Sequence, residues 1–209
     1  MRIIIISPSK SVDNETKIVT ELFEHGLETF HLRKPSMRTK EMREYIEGIP
    51  QHFHNRIIIH SHHNLARKYL LKGIHLTRQH HKHNIRLWFR LRFLKMKNLN
   101  LFVTTSFHKL ASVYRNEGNY NYVFLGTIYD QVSEKFNAGF NETSLRAALG
   151  KSEMPIVARG GTNIDKIKEC HDLGFSGIAF YGGVWKTENP VETFCAILNR
   201  CRELNIKTE

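Results

Sequence analysis

Short β-branched apolar runs alternate with longer amphipathic stretches along the whole chain. Runs of strand length are RIIIIS (Arg2 to Ser7), TFHLR (Thr29 to Arg33), RIIIHS (Arg56 to Ser61), GIHLT (Gly73 to Thr77), LFVTTS (Leu101 to Ser106), YVFLG (Tyr122 to Gly126), PIVARG (Pro155 to Gly160) and GIAFYG (Gly177 to Gly182). Stretches with helical spacing lie between them: Thr16 to His25, Thr39 to Gly48, Leu65 to Leu71, Ile85 to Lys97, His108 to Asn116, Asn163 to Leu173 and Pro190 to Leu204. Gly26 and Gly174 stand where helix-ending glycines are expected, and Thr162 or Asn163 can cap the helix that follows. The strand-like runs are mostly continuous rather than alternating, as parallel strands covered on both faces should be. Repeated strand–helix pairing over 209 residues predicts a (β/α)8 barrel near the lower end of its size range, forming one domain over residues 1–209. A doubly wound open sheet is the runner-up. Its usual nucleotide signatures, G-x-G-x-x-G after the first strand and G-x-x-x-x-G-K-[ST], are both absent.

In a barrel the C-terminal strand ends and the loops after them build the site. These positions hold Ser7, His31 with Arg33, His60 with Ser61, His75, Ser106, Gly126 with Asp130, Gly160 with Gly161, and Gly182 with Gly183. Two residues apart, His31 and Arg33 are expected to share a strand face, with Arg33 clamping an anion at the barrel mouth. The glycine pairs follow the seventh and eighth strands, where barrels often bind a phosphate through backbone N–H groups. The segment HSHHN (His60 to Asn64) raises the question of a metal. His60 ends a strand while His62 and His63 should diverge into a solvated loop, and neither an H-E-x-x-H motif nor a nearby cysteine supports zinc, so no metal ligand is assigned.

Charge narrows the partner class. Lys and Arg number 31 against 20 Asp and Glu, a formal +11 that suits anionic ligands. No nucleic-acid motif accompanies it. The basic, apolar stretch Asn84 to Lys97 and the cluster Arg78 to His83 fit an outer-ring helix and a solvated loop. No run approaches the roughly 20 apolar residues of a membrane span, and no signal-peptide pattern opens the chain, so neither nucleic acid nor membrane is expected and a cytoplasmic location is. Cys170, Cys195 and Cys201, odd in number, fit free thiols. A homodimer is allowed but not required.

Several of these segments resemble the thiamin phosphate synthases and their TenI-like thiazole tautomerase paralogues, over about Ile3 to Leu198. FHLRKP resembles the family's Q-x-R-x-K strand, and IIIHSHHNLARKYLLKGIHLT its I-I-N-D and A-D-G-V-H-L-G-Q segments. YVFLGTIYDQVSEK is similar to G-P-V-F-x-T-x-T-K, and PIVARGGTNIDKIKECHDLGFSGIAFYGGVW to P-V-x-A-I-G-G-I with G-x-A-V-x-S-A-I. The resemblance implies a barrel enzyme that joins a pyrimidine pyrophosphate to a thiazole phosphate through a pyrimidine carbocation, releasing pyrophosphate with Mg2+. It implies that Arg33 binds pyrophosphate, Ser106 the pyrimidine, and Gly160 and Gly161 the thiazole phosphate. Lys34, Ser61, His75, Ser133, Lys135, Gly182 and Gly183 are the remaining substrate-binding candidates.

Departures from the pattern cluster on the pyrophosphate side. His60 and Ser61 stand for the Asn and the first magnesium-binding Asp, and His80 lies near the second; His31 replaces the Gln, and Lys34 comes one position early. Mg2+, a hard ion that prefers oxygen ligands, is therefore expected from the family but poorly served here. Three functions remain open: coupling, with Arg33, Lys34 and Lys135 carrying the pyrophosphate charge; tautomerisation, with His31, His60 or His75 as acid and base; and non-catalytic thiazole-phosphate binding.

Overall fold

The computed structural model describes residues 1–77, 91–94, 96, 98–114, 118–130, 135–137 and 140–209. The expected site residue Ser133, the cluster Arg78 to His83 and most of the expected helix Ile85 to Lys97 lie outside these.

Eight strands follow one another in parallel order and close: β1 (Arg2–Ile6), β2 (Thr29–Leu32), β3 (Ile57–Ile59), β4 (Gly73–Leu76), β5 (Phe102–Phe107), β6 (Tyr122–Leu125), β7 (Ile156–Arg159) and β8 (Gly177–Phe180). The fold is the expected (β/α)8 barrel. Helices among the described residues are α1 (Glu15–Glu24), α2 (Thr39–Glu47), α3 (Asn64–Lys68), α4 (Leu110–Tyr114), α5 (Glu142–Lys151), α6 (Lys166–Leu173), α7 (Gly182–Trp185) and α8 (Pro190–Glu203), with a 3-10 turn at Gln51–Arg56 before β3. By contacts the chain falls into two compact units. Unit 1 holds Met1–Ile5 and Ser106–Glu209; unit 2 holds Ile6–Thr105.

In unit 2, β2 pairs with β3 (His31 opposite Ile58), β3 with β4 (Ile58 opposite Gly73), and β4 with β5 (His75 opposite Thr104). Helix α1 turns Val19, Leu22 and Phe23 inward, three to four residues apart. Phe23 meets Phe30 edge-on at 6.2 Å and stacks on Phe53 at 5.2 Å. Gly26, with φ +99°, ends the helix as the sequence predicts.

In unit 1, β1 pairs with β8 (Arg2 opposite Gly177, Ile4 opposite Ala179), and β7 joins β6 to β8. Gly177 permits the β1 contact, since a Cβ there would come within 2.8 Å of the Arg2 carbonyl. Phe194, Ile197 and Cys201 form the buried stripe of α8, whose cap Asn189 accepts from the N–H groups of Val191 and Glu192. Asn163 accepts from the N–H groups of Asp165 and Lys166, as foreseen. All three cysteines are free thiols. Among the described residues, no helix is long and apolar enough to cross a membrane.

Candidate functional site

Three consecutive strand ends of unit 2 bring three histidines together. His31 lies in β2, His60 directly follows β3 and His75 lies in β4; all are buried, His31 completely. The register explains the meeting. His31 sits opposite Ile58 and Ile58 opposite Gly73, so His60 and His75 stand two residues further along their own strands, on the same face. His31 Nδ1 lies 2.9 Å from His60 Nε2, and the His60 and His75 rings stack at 4.2 Å. The Thr104 hydroxyl lies 2.8 Å from His75 Nδ1 and 3.4 Å from the Ile74 carbonyl. Since that hydroxyl donates its one proton to the carbonyl, it accepts from His75, which fixes the proton on Nδ1. One ligand nitrogen from each ring can be chosen so that all three lie within 4.8 Å of one another. Such a donor set suits transition ions and does not suit Mg2+, which requires oxygens.

Arg33 lies one residue beyond its strand. Strand β2 stops at Leu32, and beyond it Ser7 grips the Arg33 backbone, donating to its carbonyl (3.1 Å) and accepting from its N–H (2.8 Å). The guanidinium consequently stands exposed, donating to Ser9 Oγ at 2.7 Å, while His31 is buried. Lys34 goes inward instead. Its ammonium, 1% exposed, pairs with Glu15 at 2.5 Å and donates to the Lys10 carbonyl at 3.0 Å. Tyr45 donates to the other Glu15 oxygen at 2.7 Å, and burial followed by the Glu15 charge holds the Tyr45 phenol well above its ordinary pKa. The Lys34 charge expected to meet pyrophosphate is thus committed to tying the β1–α1 loop to α2.

The solvated loop expected after His60 is not found. His63 is 3% exposed, and His62 donates through Nε2 to the Met37 carbonyl and accepts from Thr39, which ties this turn to the loop after β2. Ser61 beside them is half-buried.

Unit 1 carries the other candidates. Ser106, in β5, accepts from Arg159 Nη1 at 3.4 Å. Arg159 ends β7 immediately before Gly160 and was overlooked in the sequence, where it stands for the Ile of A-I-G-G; its place at a strand end was the available signal. Gly160 and Gly161 adopt φ +94° and +67°. A Cβ would strike Thr127 Cγ2 at 2.5 Å from the first and the Tyr129 carbonyl at 2.3 Å from the second. Loop packing alone therefore demands glycine at both. Gly183 passes equally close to the Thr162 carbonyl (2.6 Å), whereas Gly182 would bring a Cβ only to 3.5 Å from the Lys186 stem. Lys135 is exposed beside the Tyr129–Phe136 bridge.

Comparison with known proteins agrees with this fold. The family described as thiamine monophosphate synthase (TMP-TENI) matches residues 3–184. A protein of Aquifex aeolicus provisionally named thiamine-phosphate synthase 2 is 22% identical over 179 residues, 84% of this chain and 92% of its own. The crystal structure of thiamine phosphate pyrophosphorylase from Bacteroides thetaiotaomicron superposes with a TM-score of 0.76 at 26% identity, covering 97% of this chain and 98% of that one. The corresponding enzyme of Pyrococcus furiosus gives 0.76 at 19%, covering 97% and 96%.

Proposed function

The chain belongs to the thiamine monophosphate synthase family, and from that premise we propose that it is a transferase joining a pyrimidine pyrophosphate to a thiazole phosphate with release of pyrophosphate. The observation that carries the reading is the continuity of the match: residues 3–184 run from the second residue of β1 to the turn after β8, so the likeness spans the candidates of both units.

Coupling of this kind is limited by departure of pyrophosphate, so fixed positive charge at its oxygens is the main contribution a protein can make. In our reading the exposed Arg33 guanidinium, braced by Ser9, supplies that charge. Ser106 orients the pyrimidine, itself held by Arg159. The Gly160–Gly161 and Gly182–Gly183 turns receive the thiazole phosphate on backbone N–H groups. Because Mg2+ does not suit the imidazoles at the ends of β2 to β4, no step runs through it.

Purified protein, incubated with both substrates in the presence and absence of Mg2+, should form thiamin phosphate and pyrophosphate in equal amounts. No product above blank under either condition overturns the proposal.

One observation favours a second reading. The buried His31–His60 pair is a ready proton relay, and it supports tautomerisation of the unaromatised thiazole phosphate without pyrimidine. If His31→Ala and His60→Ala both leave that turnover unchanged, this reading fails.

A further inference from the structure

We propose that His31, His60 and His75 form a three-imidazole site for a divalent transition-metal ion, zinc above all, at the strand ends of unit 2. The site goes beyond the coupling reading and does not rest on it.

Ligand count and spacing come first. Three imidazoles from three adjacent strands offer nitrogens within 4.8 Å of one another. A tetrahedral zinc with bonds of 2.0–2.1 Å would hold its nitrogens about 3.3 Å apart. His31 Nδ1 and His60 Nε2 already stand at 2.9 Å, so binding asks for a small opening of that pair and a modest approach of His75. On binding, the proton that joins His31 to His60 passes through solvent to the other nitrogen of the ring that held it, so both imidazoles stay neutral and both lone pairs turn to the ion.

The surroundings are those of a ligand set. Metal-bound histidines usually donate their second ring N–H to an oxygen, which fixes the tautomer and aims the lone pair. Thr104 does this for His75: it takes the Nδ1 proton at 2.8 Å and is itself anchored on the Ile74 carbonyl, so Nε2 carries the donor pair. All three rings sit on strand backbone or directly at its end, deep in the unit, which keeps the donors from scattering into solvent conformers.

The charge balance gives the site its use. Three neutral imidazoles leave the ion its full double charge, whereas carboxylate ligands would cancel it. With three protein ligands, a tetrahedral ion keeps its fourth position for an oxygen. Standing at the strand ends, where barrels bind their substrates, that position suits a phosphate or pyrophosphate oxygen.

The test uses the full chain, stripped with a chelator and titrated with zinc against a chromophoric competitor. We expect one zinc per chain. His60→Ala and His75→Ala should abolish it, and Thr104→Val should weaken it by roughly 10- to 100-fold. The exposed His52→Ala, and a variant carrying His80→Gln, His81→Gln and His83→Gln, should each retain it. X-ray absorption on the zinc-loaded unmodified chain should count three imidazole nitrogens, a readout that needs no variant to fold and no enzymatic turnover. Failure to bind zinc, an equivalent that survives His60→Ala, or fewer than three imidazoles in the absorption spectrum overturns the proposal.

Discussion

Glu15 and Lys34 form an ion pair that water scarcely reaches, 4% and 1% exposed, and its two halves are not equally supported. Removing the charge of Glu15 with Glu15→Gln leaves a buried ammonium without its counter-ion, facing only neutral oxygens, the Lys10 carbonyl and the new amide, with the Tyr45 ring 5.8 Å away. Breaking a buried pair from one side costs about 3–5 kcal/mol, and little here offsets it. Lys34→Met leaves the carboxylate with two donors, the Tyr45 hydroxyl at 2.7 Å and the Val12 N–H at 3.2 Å. Each such charge-assisted bond is worth about 1.5–3 kcal/mol, so the loss should fall to about 1–3 kcal/mol. The triple variant Glu15→Leu, Lys34→Met, Tyr45→Phe removes charges and hydroxyl together and should recover most of the deficit, because apolar replacement of a whole buried pair is often neutral. Urea denaturation followed by circular dichroism measures all three, with the slope checked for constancy. For a chain of this size 3–5 kcal/mol lowers the melting temperature on the order of 10 °C. The reasoning is refuted if Lys34→Met is the more damaging single change, or if Glu15→Gln costs less than about 1 kcal/mol.

Three further outcomes follow from unit 1. Gly161→Ala, at φ +67° with the Tyr129 carbonyl 2.3 Å from the new Cβ, should lower stability by more than about 1 kcal/mol, while Gly182→Ala should stay within about 0.5 kcal/mol; paired thermal melts decide. Burial pushes the Cys170 thiol from 9.0 up to about 12, so the folded state holds a proton that the unfolded chain releases. Stability should accordingly be intact below pH 9 and decline between pH 9 and 12, by up to about 1.4 kcal/mol per pH unit from this group, and Cys170→Ala should flatten that decline. The half-buried Cys195 should react with an alkylating reagent ahead of the buried Cys170 and Cys201, as read by peptide mass spectrometry.

How much of this was legible in the sequence depends on the range of the forces involved. Strands are short, apolar and β-branched, so all eight could be read from local pattern, though β3 proved only Ile57–Ile59 within the expected Arg56 to Ser61. Helix α5 was missed because its apolar stripe, Leu145 and Ala148, is thin; its cap, Asn141 accepting from Ser144 N–H, was the better signal. The histidine trio could not be seen from spacing within HSHHN, since its members lie 29 and 15 residues apart and meet only through strand register. The partner of Lys34 was hidden for the same reason: Glu15 comes from the helix preceding its strand. Arg33 was placed correctly at a strand end, but its exposure just beyond β2 could not be read, because one residue decides where β2 stops.

The pairing of β1 with β8 has a consequence for biogenesis. Unit 2 is one uninterrupted segment and can gather its contacts as it leaves the ribosome, but unit 1 joins the first five residues to the last hundred or so. Ile3, Ile4 and Ile5 find their partners at Ile178, Ala179 and Phe180 only once the chain has been translated through all of the intervening strands. During that interval an isoleucine-rich ribbon waits with one edge unclosed, the kind of surface that chaperones shield and that other nascent chains can capture.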